Sequence, residues 1–351
     1  MLNFLTEKIS PRKKELVKNM LRDLVYYLWK FFGPNKKIID SRKIKKILVV
    51  NKGVIGDLIV STPMIRALAA KYDKVDVLMR KDMKDILSGS PIIRKIYFYD
   101  DQRDIFKLLT ENKYDLIIIF SARDKEIKIL CMKAKIPFII GNSFSYSLID
   151  IFITARTKEN PSQHFVQKAL DQARLAHTDI KIPRTEFYLS KDDEKYVSYL
   201  LKKYQIKKFA AVHAGKRGNI KRFFWPAENW AEVIDYISEK HKIPVILTGS
   251  SMEKARNEEI MSLVKSKNVF NFCEKTSLKQ WACLIKKAKL LVSLNTGATH
   301  IASCFNTKTI VINEEFPELW HPWMPNNLYK ILPHPEVEDV KKAVDTLLKH
   351  T

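Results

Sequence analysis

Short apolar runs alternate with amphipathic stretches along most of the chain, from about residue 45 onward. Apolar runs that are bounded by polar or turn residues predict strands, and apolar residues at three- and four-residue spacing predict helices. Strands without a polar face, joined by helices, are typical of a parallel sheet that is covered on both sides. In the first half, strands are predicted at 47–50, 75–79, 95–99, 116–120 and 137–141, and helices at about 63–72, 103–112 and 123–135.

The same alternation starts again after a polar region around residues 156–190. The chain is therefore predicted to be α/β, with two Rossmann-like domains whose parallel sheets face a central cleft. The expected boundaries are 1–40 for a leader helix, 41–185 and 186–335 for the two domains, and 336–351 for a C-terminal helix. In the second half, strands are predicted at 209–215, 244–250, 269–273, 290–297 and 309–313, and helices at 193–205, 228–241, 253–267, 277–288 and 338–350.

The leader has the pattern of a basic amphipathic helix. Ser10 can cap its start, Pro11 suits the first helical position, and Gly33 followed by Pro34 supplies a stop. Charged residues interrupt the apolar face too early for a membrane span. The pattern fits a helix lying on an anionic membrane surface. A helix packed on its own domain or on a second subunit is the alternative.

Composition adds a requirement for an anionic partner. The chain has 351 residues, 46% of them hydrophobic, and 62 basic against 39 acidic residues give a net charge of +23. The first 46 residues hold 13 Lys/Arg and 4 Asp/Glu. Such charge indicates nucleic acid, a lipid surface or a phosphorylated substrate. No recognised nucleic-acid-binding motif is present, which disfavours the first. The four cysteines lack metal spacing and are typical of reduced thiols in a cytosolic protein.

The stretch "NKGVIGDLIVSTPMIRAL" (51–68) follows the first predicted strand. It lacks the Lys-Ser/Thr pair of a P-loop, and Gly53 with Gly56 supplies too few glycines for a dinucleotide turn. Asp57 can be a first-turn acid that favours the helix dipole. It can also carry chemistry at the mouth of the sheet, with Gly56 as a candidate ligand contact.

The second polar loop, "HAGKRGNIKRFFWPAENW" (213–230), combines exposed backbone N–H groups with cations. Ala214 and Gly215 form a small turn directly after a predicted strand. Backbone donors and cations near a helix start favour a diphosphate site. A solvated basic loop is the alternative. The cations concerned are Lys216, Arg217, Lys221 and Arg222.

Two further loops follow strands of the second half. Glu253, in "LTGSSMEKARNEE", can accept hydrogen bonds from a ribose diol, or it can favour the helix start. In "SLNTGATHIAS", Asn295, Thr296 and Gly297 form a turn that opens a helix carrying His300. Gly297 allows the backbone to approach a phosphate or a sugar closely. His300 is either a core histidine or part of the site.

Together these motifs resemble glycosyltransferase family 9, the heptosyltransferases that build the lipopolysaccharide inner core. The resemblance covers about residues 45–330, and "SLNTGATHIAS" is similar to the family signature D-T-G-x-x-H-[LI]-A. The resemblance implies a GT-B fold, in which the domain at 41–185 binds the acceptor and the domain at 186–335 binds the nucleotide-sugar donor. It also implies an ADP-activated heptose donor and inversion at the anomeric carbon without a metal or other cofactor. The chain contains no D-x-D triplet of the kind that binds a metal.

The resemblance also implies roles for individual residues. Asp57 matches the aspartate proposed as the general base. The leaving diphosphate would be stabilised by the backbone at Ala214-Gly215 and at Thr296-Gly297, together with Lys221 or Arg222. The backbone around Lys275 and Thr276 is the candidate pocket for the base. Two positions depart from the family pattern: Asn295 replaces its aspartate, and Phe223 stands where its phosphate-binding lysine falls.

The sequence thus predicts an inverting, metal-independent glycosyltransferase that uses a nucleotide-diphosphate sugar. Its acceptor would be a lipopolysaccharide core or another lipid-linked, phosphate-bearing glycan, at the cytoplasmic face of a bacterial inner membrane. The basic leader and the overall charge suit such a substrate. The alternative is a GT-B sugar-nucleotide epimerase or a non-catalytic protein that binds nucleotide sugars.

Overall fold

The computed structural model describes most of the chain from residue 39 onward. Almost all of the predicted leader helix lies outside the described residues, and so do the basic-loop cations Lys216, Arg217, Lys221 and Arg222. The structure describes Leu24 and residues 39–73, 75–99, 102–120, 124–141, 153–157, 160–181, 184–215, 225–313 and 317–349.

The first half forms a parallel sheet of six strands in the order β3-β2-β1-β4-β5-β6. The central strand pairs Val49 with Val77 on one side and with Ile118 on the other. The strands are β1 (Ile47–Asn51), β2 (Val75–Met79), β3 (Ile93–Phe98), β4 (Leu116–Ile119), β5 (Phe138–Gly141) and β6 (Ala155–Arg156). All five predicted strands of this half are present, and β1, β2, β4 and β5 are buried, whereas β3 at the sheet edge is half-buried or exposed. The helices are α1 (Ile55–Tyr72), α2 (Lys84–Leu87), α3 (Gln102–Asn112), α4 (Lys125–Lys133) and α5 (Phe165–Leu175).

The second half forms another six-stranded parallel sheet, in the order β12-β11-β10-β7-β8-β9. Its strands are β7 (Ala210–His213), β8 (Val245–Leu247), β9 (Val269–Asn271), β10 (Leu290–Leu294), β11 (Thr309–Asn313) and β12 (Tyr329–Pro333). The helices are α6 (Lys191–Lys203), α7 (Ala227–Lys240), α8 (Lys254–Leu263), α9 (Leu278–Lys287), α10 (Gly297–Phe305), α11 (Pro317–Trp320) and α12 (Val337–Leu348).

Helix α1 begins at Ile55, eight residues before the predicted start at about 63, so Pro63 lies inside the helix. A proline has no N–H and leaves the carbonyl four residues earlier without its helical donor. Here that carbonyl belongs to Ile59, and the Thr62 hydroxyl donates to it over 2.7 Å. A side chain thereby replaces the backbone donor that Pro63 removes.

Helix α5 lies in the region that the sequence indicated as polar. Its apolar positions, such as Val166 and Leu170, are separated by Lys168 and Gln172, which are themselves buried. The side-chain amide of Gln172 donates to the carbonyl of Ile119 at the end of β4, over 2.9 Å. The helix was missed because two of its polar residues are buried instead of facing solvent. Strands β6 and β12 and the short helices α2 and α11 were missed as well.

The two halves share one apolar core. A single cluster of buried side chains contains Leu58 and Leu68 of α1 together with Ala298 and Ile301 of α10. Packing across the halves holds the loops at the two sheet edges in a defined relation to each other. Within the described part of the chain, every helix is too short or too polar to cross a membrane.

Candidate active site

The predicted motifs lie where each sheet reverses its strand order. In the first sheet the order reverses between β1 and β4, and in the second between β7 and β10. Open α/β sheets bind ligands outside the carboxyl ends of the strands at such switch points. The loops that follow β1, β7 and β10 contain the three motifs that were predicted to carry Asp57, Gly215 and Gly297.

The amino end of α1 meets the amino end of α10 at two glycines. A Cβ built on Gly297 would lie 3.0 Å from the Cβ of Ile55. A Cβ on Gly56 would lie 2.9 Å from Cδ2 and 3.1 Å from Nε2 of His300. Real Cβ atoms rarely make contacts this close, so a residue larger than glycine at position 56 or 297 would require its neighbours to shift. Gly56, Gly297 and His300, each predicted as a site residue, are thus brought together at the junction of the two halves.

Asp57 occupies the third position of α1 and is half-buried. Its Oδ2 accepts a hydrogen bond from the backbone N–H of Val54 over 3.0 Å. A Cβ on Gly53 would lie 2.6 Å from the same oxygen, so the carboxylate lies over this glycine. Asp57 therefore does stabilise the start of its helix, which was one of the two predicted roles.

Asn51 fixes the conformation of the loop that carries Asp57. Its side chain is 1% exposed. The amide nitrogen donates to the Asp57 carbonyl over 3.0 Å and to the Ser61 hydroxyl over 3.1 Å. The amide oxygen accepts from the Gly53 N–H over 3.0 Å. Sequence reasoning missed Asn51, although a buried polar residue at a strand end is the signal that could have found it.

On the second sheet, Thr296 caps α10 and accepts from the N–H of Ala298 over 3.4 Å. Asn295 precedes it and is half-buried. The Asn295 side-chain amide makes no hydrogen bond to any residue that the structure describes. This amide is therefore available to a ligand at the amino end of α10. His300 is 5% exposed, and its ring lies edge-on to Trp320 with the centroids 5.6 Å apart.

His213 ends β7 and was missed as a site residue, although it stands in a quoted motif. Its Nδ1 lies 3.3 Å from the carbonyl oxygen of Thr248. Burial lowers the pKa of His213, while the nearby Glu253 carboxylate and that carbonyl act in the opposite direction. A Cβ on Gly215 would lie 2.5 Å from Nε2 of His213. A larger residue than glycine at 215 would therefore displace the imidazole. Ala214, between them, is buried.

Glu253 lies beside Gly215, with its Cγ 3.0 Å from where a Cβ on that glycine would stand. Its Oε2 accepts from both the N–H and the hydroxyl of Ser250, over 2.7 and 2.6 Å. The predicted helix-start role is therefore present. Its other oxygen, Oε1, makes no hydrogen bond within the described chain, so a ligand hydroxyl can still bind there.

The sequence predicted that the backbone around Lys275 is open to a base, but the polar groups of Lys275 are hydrogen-bonded within the protein. The ammonium of Lys275 lies 2.8 Å from the hydroxyl of Tyr204, on the side of α6. Its N–H donates to the Phe272 carbonyl over 3.1 Å, and its own carbonyl accepts from Tyr196 over 2.9 Å. Both backbone groups of Lys275 are thus bonded within the protein. Of the predicted pair, Thr276 is the residue left to contact a base.

Trp281 is a further neighbour of this loop that sequence reasoning missed. Its ring centroid lies 4.9 Å from that of His213. Its indole N–H is buried and has no hydrogen-bond partner among the described residues. A tryptophan at helical spacing on α9 is typical of a core residue, so the sequence contained no signal for this position.

Comparison with known proteins agrees with the motifs. A family model described as glycosyltransferase family 9 (heptosyltransferase) matches residues 102–347. Lipopolysaccharide heptosyltransferase 3 of Escherichia coli K12 is 24% identical over 290 residues, covering 77% of this chain and 83% of that protein. The structure of a family 9 glycosyl transferase from Veillonella parvula superposes with a TM-score of 0.79 at 15% identity, covering 91% of this chain and 100% of that one. ADP-heptose lps heptosyltransferase II of E. coli superposes with a TM-score of 0.72 at 18% identity, covering 87% and 99%.

The protein belongs to glycosyltransferase family 9, because the family match spans well over half of the chain. The predicted transferase class is therefore confirmed. At 15% and 18% identity, the two solved structures establish the fold alone. They confirm the predicted GT-B architecture of two facing parallel sheets. The roles of individual residues remain predictions that depend on the geometry above.

Proposed function

We propose that this glycosyltransferase moves a heptose-like sugar from a nucleotide diphosphate to a hydroxyl of a lipopolysaccharide core or another lipid-linked glycan. Family membership and the E. coli relative, a lipopolysaccharide heptosyltransferase, support this donor and acceptor class. The observation that carries the proposal is the meeting of α1 and α10 at the switch points of the two sheets. It brings the first turn of α1, which carries Asp57, against the start of α10 at Gly297.

The proposed reaction is a single displacement with inversion and without a metal. The acceptor oxygen attacks the anomeric carbon, and the bond from that carbon to the diphosphate oxygen breaks with its electron pair. The hydroxyl proton passes to the Asp57 carboxylate. The carboxylate can accept this proton late in the reaction, as the attacking oxygen loses electron density.

The leaving diphosphate gains negative charge during this step. In our proposal it lies at the amino end of α10, where Thr296 and Gly297 present backbone N–H groups. Ala214 and Gly215 contribute from the β7 loop, and Lys216, Lys221 or Arg222 would supply positive charge. Each preorganised donor of this kind typically stabilises a transition state by about 2.7–4 kcal/mol.

The remaining contacts would select the donor. Glu253 is proposed to accept from the ribose through Oε1, and Thr276 to contact the base. The Asn295 amide would contact the sugar, as a neutral group where the family has a carboxylate. An amide both donates and accepts hydrogen bonds, whereas a carboxylate only accepts. The sugar that this chain prefers is therefore expected to offer an acceptor oxygen to Asn295.

The test is transfer with a panel of ADP-, GDP- and UDP-activated sugars and a purified lipopolysaccharide core acceptor. NMR of the product should show one anomer, opposite to that of the donor, and ADP-heptose should give the highest kcat/KM. The reaction should proceed in EDTA. Retained anomeric configuration, epimerisation without transfer, or loss of activity in EDTA would contradict the proposal.

The basic leader is proposed to hold the enzyme on the cytoplasmic face of the membrane, beside its lipid-linked acceptor. Lys14, Lys18 and Arg22 lie on the predicted polar face. Each basic residue near an anionic surface adds about 1 kcal/mol of binding. Replacing these three residues by Gln in the full chain should therefore release the protein from phosphatidylglycerol vesicles. Equal retention of the altered and unaltered chains would contradict this role.

A further inference from the structure

A basic cavity opens beside the Asp57 loop and takes no part in the chemistry described above. Its volume is about 570 Å³, and its lining consists of Arg80, Lys81, Asp82, Lys84 and Tyr99. The four charged residues follow β2, and Tyr99 follows β3 with its N–H donating to the Met79 carbonyl over 2.9 Å. Because the strands are parallel, the cavity lies on the same sheet edge as the loop that follows β1.

The cavity has excess positive charge that no described side chain neutralises. Asp82 accepts from Arg80 at both carboxylate oxygens, over 3.0 and 2.6 Å, so these two charges compensate each other. Lys81 and Lys84 are both exposed. Neither ammonium forms a hydrogen bond or an ion pair with a residue in the described ranges. Two unpaired positive charges thus face one concave surface.

Tyr99 connects this cavity to the loop of the candidate base. The ammonium of Lys52 lies 3.7 Å from the centroid of its ring and 3.0 Å from Oδ1 of Asp124. The Tyr99 hydroxyl donates to Glu126 over 3.0 Å. These contacts hold the ring in place, and they pair the nearby carboxylates of Asp124 and Glu126 with Lys52 and Tyr99. Lys52 directly follows β1, and neighbouring strands lie about 5 Å apart. The cavity therefore starts roughly 5–10 Å from that loop.

We propose that this cavity binds an oxyanion of the acceptor, a phosphate or a carboxylate on a sugar unit next to the one that is attacked. The inference rests on the proposed function, since it assigns the acceptor to the first half of the protein. The donor diphosphate is excluded by position, because its proposed holders follow β7 and β10 on the other sheet. A concave site with unpaired ammonium groups suits a compact anion on a glycan better than a flat lipid surface.

The cavity can be tested without the transfer reaction by titrating the full chain with inorganic phosphate. Reductive ¹³C-methylation labels every lysine and keeps its charge, and single Lys→Gln variants assign the NMR signals. The signals of Lys81 and Lys84 should shift saturably, while sodium chloride at equal ionic strength should leave them in place. Lys133 ends α4 and Lys135 follows it, both exposed near the opposite sheet edge, and they serve as internal controls. No shift, or equal shifts at these controls, would overturn the proposal.

Transfer then tests whether the bound oxyanion belongs to the acceptor. With the unaltered chain, phosphatase treatment of a phosphorylated core acceptor should raise its KM about tenfold. In the Lys81→Gln/Lys84→Gln variant, the ratio of the KM after phosphatase treatment to the KM before it should fall below about twofold, because the groups that bind the phosphate are gone. The Lys133→Gln/Lys135→Gln variant removes the same charge and should keep the full ratio.

The possible outcomes separate the two proposals. If the unaltered chain transfers no sugar, the proposed function fails, and the phosphate titration still decides the cavity. If the double variant keeps the full phosphate ratio, the cavity proposal is wrong while the transferase proposal stands. If the double variant loses binding to phosphatidylglycerol vesicles and keeps that ratio, the lysines face lipid, and the acceptor assignment is likewise overturned.

Discussion

The imidazole of His300 lies directly against the backbone of Gly56, with Cδ2 2.9 Å from where a Cβ on that glycine would stand. Gly56 is the second residue of α1 in the first half, and His300 lies on α10 of the second half. Trp320 packs against the imidazole edge-on, at 5.6 Å between centroids. His300 is therefore confined between an aromatic ring and a glycine. The contact joins the two halves next to Asp57.

A methyl group at position 56 should disturb this junction. Gly56→Ala places a carbon within 3.1 Å of Nε2 of His300, and overpacking of this kind costs about 1–3 kcal/mol. We expect that loss in the free energy of unfolding measured in urea, together with lower transferase activity. Adding His300→Ala should recover part of the stability, since the clash then disappears. Strictly additive effects of the two substitutions would contradict the contact.

The Thr62 hydroxyl should matter more to stability than its size suggests. It is 2% exposed, donates to the Ile59 carbonyl that Pro63 leaves without a donor, and accepts from the Glu186 N–H over 2.9 Å. Thr62→Val keeps the shape and leaves both groups unsatisfied, so we expect a loss of about 2–4 kcal/mol. Thr62→Ser retains the hydroxyl and should cost much less. Equal losses in urea unfolding would show that the hydrogen bonds are not the cause.

The strands and the helices α1 and α5 show which parts of the fold could be predicted from the sequence and which could not. Within the described residues, the apolar runs identified ten of the twelve strands, because most of these ten are buried and a buried strand leaves a continuous apolar stretch in the sequence. The start of α1 was wrong, since proline normally marks a helix start and the compensating Thr62 bond is a tertiary detail. Helix α5 was missed because Lys168 and Gln172 are buried, which reverses the usual meaning of polar spacing.

His164 should make the protein less stable in acid. Its Nδ1 accepts from the Val166 N–H at the start of α5, and its Nε2 lies 3.0 Å from the His321 carbonyl. Burial, with His321 and Lys168 nearby, lowers its pKa to about 4. The unfolded chain binds this proton below pH of about 6.5, whereas the folded chain binds it only near 4. Stability is therefore lost as the pH falls through that window.

A variant isolates this contribution. His164→Asn keeps a side chain that can cap α5 and removes the titrating group. Between pH 7 and 4.5 the variant should lose about 2–3 kcal/mol less stability than the unaltered chain. Urea unfolding at a series of pH values measures the difference. Parallel pH profiles for the two proteins would show that His164 titrates normally in the folded state.

Asn295 should affect the donor without affecting the fold. Its side chain makes no hydrogen bond to the described residues, so Asn295→Ala should leave the melting temperature nearly unchanged. Loss of one neutral hydrogen bond to the sugar should lower kcat/KM about two- to tenfold. The affinity for the free nucleotide diphosphate should stay the same, as calorimetry can check. A large drop in melting temperature, or weaker nucleotide binding, would contradict a contact to the sugar.

The candidate site was predictable only in part. The motifs located the loops at both switch points because glycines and polar residues after a buried strand are visible in sequence. Asn51, His213 and Trp281 were missed because their roles depend on burial and on neighbours that are distant in sequence. The predicted role of the Lys275 backbone depended on groups that Tyr196 and Phe272 already occupy, which only coordinates reveal.

The most direct measurement is single-turnover transfer by Asp57→Asn, alongside calorimetric binding of the donor. The amide keeps an oxygen for the Val54 N–H, so the start of α1 is preserved while the basic carboxylate is lost. If Asp57 accepts the acceptor's proton, transfer should fall about 10²–10⁴-fold with donor affinity within about twofold. Transfer within about tenfold of the unaltered chain would mean that Asp57 only supports its helix, and the proposed chemistry would be wrong.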